Sequence, residues 1–149
     1  MSMPSLLFLA IAFFMGVITS IYLPMNGVVG KYVGSALLAN IPFYLLGAIT
    51  TICLFSFTGN FSAVGRLRDV PNYLYLSGFI SAFLVLGSTF LIPKLGAGPF
   101  FILFVAGQII MALVVSHFGW LASPQDPITV RKILGVFILF FGVMMTTWR

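Results

Sequence analysis

PKLGAGPFFILFVAGQIIMALVVSHFG, running from Pro93 to Gly119, is the stretch whose reading decides the fold. It opens as a basic Pro/Gly-rich turn, Pro93 to Gly98. It continues as an apolar run of helix length, about Pro99 to Phe118, with one amide, Gln108, near the middle. It closes on the polar pair Ser116-His117. A lone amide in such a run is costly in lipid unless it faces protein or water. The segment is therefore expected to line the inside of a membrane bundle. Gln108, Ala112 and Ser116 are spaced i, i+4, i+8 and share one face of that helix.

Composition extends this reading to the whole chain. Of 149 residues, 61% are hydrophobic and 6% are charged, and the mean hydropathy is +1.20. Soluble domains carry about a quarter charged residues, so the solvent here is a bilayer. The only acids are Asp69 and Asp126. Seven Lys/Arg, scattered singly or in pairs, give a net charge of +5. Scattered charges do not make a nucleic-acid surface. A lone cysteine, Cys53, forms no intrachain disulfide.

The charges divide the chain into five apolar spans, with helices expected at about 5–29, 35–57, 73–92, 99–118 and 133–148 of a single domain, 1–149. The fold class is an all-α membrane protein with five transmembrane helices. The first span lacks the basic n-region and cleavage site of a signal peptide, so it is expected to be retained. Pro24 near its end would leave the Ser20 carbonyl without a helix partner, as a packed kink or as a group facing a neighbour or substrate. Gly27 to Ser35 reads as a tight interfacial connection, with Gly30 and Gly34 as turn glycines rather than a helix-packing pair. In the second span, Asn40 reads as an N-cap with Pro42 in the first turn, a buried polar contact being the other reading. Thr58 to Asn72 is a polar loop at headgroup level holding Arg66, Arg68 and Asp69. Ser77, Ser81 and Ser88 fall within about 40° of one another on the third helix. Such a stripe marks helix packing or, more pointedly, a substrate path. A second hydrophilic loop, Trp120 to Lys132, carries Asp126, Arg131 and Lys132. The last span is short for a bilayer, but Lys132 and Arg149 can snorkel and Trp148 suits the interface. Gly135 and Gly142, close to two turns apart, mark a packing face for a second chain or for another helix of the same chain.

Five helices put the termini on opposite sides. Arg66, Arg68, Arg131 and Lys132 then lie on one side and Lys31, Lys94 and Arg149 on the other, four against three. Orientation follows Lys/Arg asymmetry, and here there is almost none. Either the chain inserts both ways and pairs with an inverted copy of itself, or it inserts one way and pairs with another protein. Oppositely oriented copies would give a ten-helix bundle with inverted-repeat symmetry.

Four short stretches resemble the YdcZ-type family of bacterial inner-membrane proteins, within the drug/metabolite transporter superfamily. They are Pro93-Lys94-Leu95-Gly96-Ala97, Ala106-Gly107-Gln108-Ile109-Ile110, His117-Phe118-Gly119 and the closing run Gly135 to Gly142. The last helix is also similar to that of small multidrug resistance proteins. The resemblance implies a five-helix exporter of drug-like molecules or metabolites in the cytoplasmic (inner) membrane. It also implies a chain encoded as a dual-topology single, as one of an oppositely oriented pair, or as half of a fusion. Two departures stand out. The family pattern usually has Asp where this chain has Ser116, and Gln in the first helix near Ser20, Ile21 and Tyr22. This chain also has no Glu with which to couple protons as small multidrug resistance transporters do.

The expected function is alternating-access transport by an antiparallel homodimer, the other reading being a non-transporting subunit or a half-transporter that needs an inverted partner. Candidate translocation residues are Gln108, Tyr22, Asn26, Tyr44, Ser81, Ser116 and His117. Aromatic faces and the Gln108 amide suit a neutral or weakly cationic apolar substrate. His117 at a helix end reads as an interfacial hydrogen bonder before a titrating group. Ser116 and His117 point about 100° apart on a helix and are no nucleophile–base dyad. No catalytic constellation, metal cluster, cofactor motif or phosphate loop occurs in the sequence. The expected partners are the bilayer, a second copy and a small-molecule substrate.

Overall fold

A computed structural model describes residues 6–59 and 61–147. The described chain is all-helical: α1 (Leu6–Val33), α2 (Ala36–Thr58), 3-10 segments at Phe61–Asp69 and Asn72–Tyr75, α3 (Leu76–Leu95), α4 (Ala97–Phe118), a short 3-10 turn at Trp120–Ala122, and α5 (Val130–Thr147). Four helices are long and apolar enough to cross a membrane: α1, α2, α3 with the turn before it, and α4. The fifth, of 18 residues, begins with Arg131 and Lys132 in its first turn. The expected start at residue 5 and the interfacial Trp148 and Arg149 lie outside the described residues.

The chain divides into two compact units, one ending at Lys94 and the other beginning at Leu95. In the first unit the buried residues fall at helical spacing. On α1 they are Leu23, Asn26, Gly27 and Gly30. On α3 they are Val85, Ser88, Thr89 and Ile92. Ala39 and Asn40 are buried on α2. Small residues at these positions let helix backbones approach closely, which is how helices associate where lipid tails are as apolar as side chains. Around this narrow seam, large apolar side chains such as Phe8, Phe13, Leu46, Phe79 and Phe83 are exposed. That perimeter is suited to lipid or to another membrane helix.

Three assignments at Gly or Pro differ from the sequence expectation, and α3 and α5 begin at Leu76 and Val130 where residues 73 and 133 were expected. Gly27 to Ser35 is not a connection: α1 continues to Val33, and only Gly34, at φ +70°, makes the turn. Gly30 is a packing glycine, because a Cβ there would lie 3.0 Å from Thr89 Cγ2. Asn40 is not an N-cap. Ser35 holds that position, its side chain accepting from the Leu38 amide at 3.2 Å, so Pro42 lies well inside α2. Pro93 likewise lies inside α3, which ends at Leu95 against Gly96 at φ +85°. In a bilayer, helices tolerate Pro and Gly because neighbours can serve the freed backbone groups.

In the second unit α4 packs against α5. Gly119, left-handed at φ +66°, closes α4, as glycine commonly does at a helix C-terminus. The following loop folds back onto the last turn. The Asp126 amide donates to the Ser116 carbonyl at 2.9 Å. Lys132 Nζ pairs with Asp126 at 2.6 Å and donates to the Pro127 carbonyl at 2.8 Å. Carbonyls that a helix end leaves open are thus partly served by the loop.

Candidate functional site

Three of the four described polar residues buried in the first unit, Asn26, Asn40 and Thr89, form one network. Asn26 of α1 donates through Nδ2 to Asn40 Oδ1 of α2 at 3.1 Å and to Thr89 Oγ1 of α3 at 2.8 Å. Asn40 Nδ2 donates to the Ala82 carbonyl at 3.3 Å. Thr89 Oγ1 donates to the Val85 carbonyl at 2.8 Å. Two backbone carbonyls fix the direction of every bond. Ala82 O can only accept, so Asn40 turns its amide nitrogen there and its oxygen toward Asn26. Val85 O can only accept, so the Thr89 hydroxyl spends its hydrogen there and accepts from Asn26. Asn26 must therefore present Nδ2 to both, and both amide hydrogens are used. One side chain thereby ties three helices together in a medium where an unmet polar group is expensive.

Beside the network lies a cleft of about 280 Å³ between α1 and α2. Tyr22, Met25, Val29, Pro42, Phe43 and Leu46 wall it, and Asn26 completes the lining. The Tyr22 and Phe43 rings stack at 5.9 Å between centroids. Phe43 meets Tyr44 edge-on at 5.1 Å. Tyr44 Oη and Ser81 Oγ are 2.7 Å apart, joining α2 to α3.

The structure thus gathers four of the seven translocation candidates, Tyr22, Asn26, Tyr44 and Ser81, in the first unit. The other three lie in the second. Gln108 is exposed on α4 and makes no hydrogen bond to a described residue. Ser116 uses its carbonyl to receive the Asp126 amide. His117 Nδ1 accepts from the Ile128 amide at 3.1 Å, and the His117 carbonyl accepts from Gln125 Nε2 at 3.4 Å. Together they anchor the loop between α4 and α5, and His117 sits where a helix-end hydrogen bonder was expected. The serine stripe on α3 divides: Ser81 meets Tyr44, Ser88 is buried and donates to the Leu84 carbonyl, and Ser77 is exposed. On α5, a Cβ at Gly135 or Gly142 would meet nothing within 4 Å. That face is open within its unit.

Sequence reasoning did not bring Asn40, Thr89 or Phe43 to the site. Asn40 and Thr89 lie 14 and 63 residues from Asn26. The available signal was spacing: Asn26 falls between Leu23 and Gly30 on one helical face, and an amide on a face of small residues points at a neighbour. No described residues form a cluster able to hold a metal ion.

Comparison with known proteins agrees with the resemblance in the α4 region. A model of the family described as "Putative inner membrane exporter, YdcZ", of the drug/metabolite transporter group, matches residues 7–145. The chain belongs to this family. The YdcZ match runs from the first turn of α1 to near the end of α5, so both units are part of it. With the apolar helices, it makes this an inner-membrane protein of an exporter family. Neither a curated protein nor a solved structure matches the chain.

Proposed function

We propose that the chain is one half of a small-molecule exporter that works as an antiparallel homodimer by alternating access. Its path would include the Tyr22, Asn26, Tyr44 and Ser81 region of the first unit, with Gln108 as a separate candidate on α4. The observation that carries this reading is the amide network buried within apolar helices beside an aromatic cleft. Polar groups at membrane depth face a bundle interior or a pathway, and a cleft with aromatic walls and few polar groups is the usual form of a small-molecule site. The inverted pairing draws on two further features. Lys/Arg are divided four against three between the two expected sides, which gives the insertion machinery little to choose by. The Gly135 and Gly142 face of α5 is open within its unit and suited to a second helix.

The test uses copies with fixed orientation. Three lysines added at the N-terminus of one copy and at the C-terminus of another would pin them in opposite directions. Each copy alone should fail to export a panel of apolar drugs from cells, and the two together should restore export. Full export from one pinned copy would overturn antiparallel pairing. Export from neither the pinned pair nor wild type, with all chains folded, would favour a non-transporting subunit or a half-transporter that needs a different inverted partner.

A further inference from the structure

Asn26 has one hydrogen-bonding atom left over. Both of its amide hydrogens are committed, to Asn40 Oδ1 and Thr89 Oγ1, and the Ala82 and Val85 carbonyls forbid the reverse arrangement. Its oxygen, Oδ1, accepts nothing from any described residue. The residue is 5% exposed, yet it lines the cleft walled by Tyr22, Pro42 and Phe43. A fixed acceptor with no partner, in an apolar medium, is an asset only to a molecule that brings a donor.

We propose that this cleft binds a small, uncharged, largely apolar or aromatic molecule bearing an N–H or O–H, which donates to Asn26 Oδ1 and packs against the Tyr22 and Phe43 rings. Each part of the class has its reason. The cleft has no charged lining residue. The only two acids of the chain lie outside the α-helices, Asp69 in the 3-10 segment and Asp126 in the loop before α5, so no carboxylate in an α-helix awaits a cation. Lys31 and Lys94 line a different hollow, so nothing in the cleft neutralises an anion. The amide cannot rotate to offer a donor without breaking two bonds, so the preference is directional: donors are taken and pure acceptors are refused. The cleft volume of about 280 Å³ lies at the small end of ligand sites, which suits a one- or two-ring molecule. This assignment rests on the exporter reading for its purpose, but the binding is measurable without transport.

The test is a matched pair of probes, 5-fluoroindole and 5-fluoro-1-methylindole, which differ by the single N–H. Each is titrated by fluorine NMR against the full chain in phosphatidylethanolamine/phosphatidylglycerol nanodiscs, with empty discs as the blank. Wild type should bind 5-fluoroindole saturably and at least about fivefold more tightly than its N-methyl form, the effect of one hydrogen bond in an apolar site. Asn26→Leu should bring the ratio to near one. Phe43→Ala, which leaves the network intact, should weaken both probes. If Asn26→Leu fails to fold, the wild-type ratio and Phe43→Ala still decide. Equal binding of the two probes, preference for the methylated one, or no saturable binding beyond empty discs would each overturn the proposal. The last is also the result expected if a second copy fills the cleft. Preserved N–H preference in a chain that exports nothing would count against the exporter reading and leave the site standing.

Discussion

At the scale of single residues, the network centred on Asn26 makes the sharpest forecasts. Thr89→Val keeps the shape of the side chain but deletes the acceptor, leaving one Asn26 amide hydrogen unmet among three helices. Interhelical hydrogen bonds in membranes average about 0.6 kcal/mol, with a maximum near 1.7. The loss should fall toward the upper end, because Asn26 is buried and the amide hydrogen loses its partner there. Thr89→Val is therefore expected to destabilise the chain by about 1–2 kcal/mol in reversible unfolding in mixed micelles, and a double-mutant cycle with Asn26→Leu should recover most of it as coupling. Additive effects would mean that the bond contributes nothing. Gln108 is the opposite case. It is exposed and unbonded within the protomer, so Gln108→Leu should leave protomer stability within about 0.5 kcal/mol. If its amide serves the path, the same change should abolish flux in proteoliposomes; unchanged flux would remove Gln108 from the path. Sequence singled out Gln108 because it stands alone in an apolar run. It undervalued Asn40 because an amide near a helix start has a ready local explanation as a cap, and the carbonyl it serves, Ala82, is 42 residues away.

At the scale of elements, the helices themselves were legible and their ends were not. Apolar runs announce a membrane helix, and five runs gave five α-helices, four of them long and apolar enough to cross a membrane. The ends were misjudged wherever Gly or Pro was treated as in a soluble protein. Gly27 and Gly30 are not breaks but the surface on which α3 rests: a Cβ at Gly27 would lie 3.5 Å from the Pro93 ring, and one at Gly30 would lie 3.0 Å from Thr89 Cγ2 and 3.5 Å from Ala36 Cα. The pair makes an internal control. Gly27→Ala meets ordinary contact distances and should be near neutral. Gly30→Val forces Thr89, which two hydrogen bonds hold, to move, and should cost about 1–3 kcal/mol, the usual range for overpacking. Equal thermal stability of the two variants would argue against close approach of α1 and α3 at Gly30. The cap of the α4–α5 loop was partly legible. Asp126 and Lys132 have opposite charge within one loop, and His117 sits at a helix end. That the loop uses the His117 ring nitrogen as an acceptor for the Ile128 amide depends on a left-handed turn at Gly119 that no periodicity encodes.

At the scale of the whole molecule, the described protomer buries little. Among the described residues, the buried hydrophobic side chains are few and mostly small or medium in size, while large apolar side chains from every α-helix are exposed. Lipid can cover such a perimeter, but it cannot serve an exposed Gln108 amide. The proposed second copy would serve it, and inversion is what a chain with almost balanced Lys/Arg allows. The family and its membrane setting were legible in the sequence, because composition and the stretches around Gln108 carry them. The proposed pairing of copies would be a property of two chains, and one chain offers only indirect support for it, in its charge balance and in the glycines of α5. Orientation in cells is therefore the measurement that bears most directly on the account. Single cysteines would be placed at residues 2 and 149 in a Cys53→Ser background, Cys53 being the lone and exposed cysteine, and labelled from outside with a membrane-impermeant maleimide before and after permeabilisation. Partial labelling of both ends from outside, completed on permeabilisation, is the result expected of a dual-topology chain that pairs with its own inverted copy. Labelling of one end alone from outside would give the chain a single orientation and contradict the antiparallel homodimer.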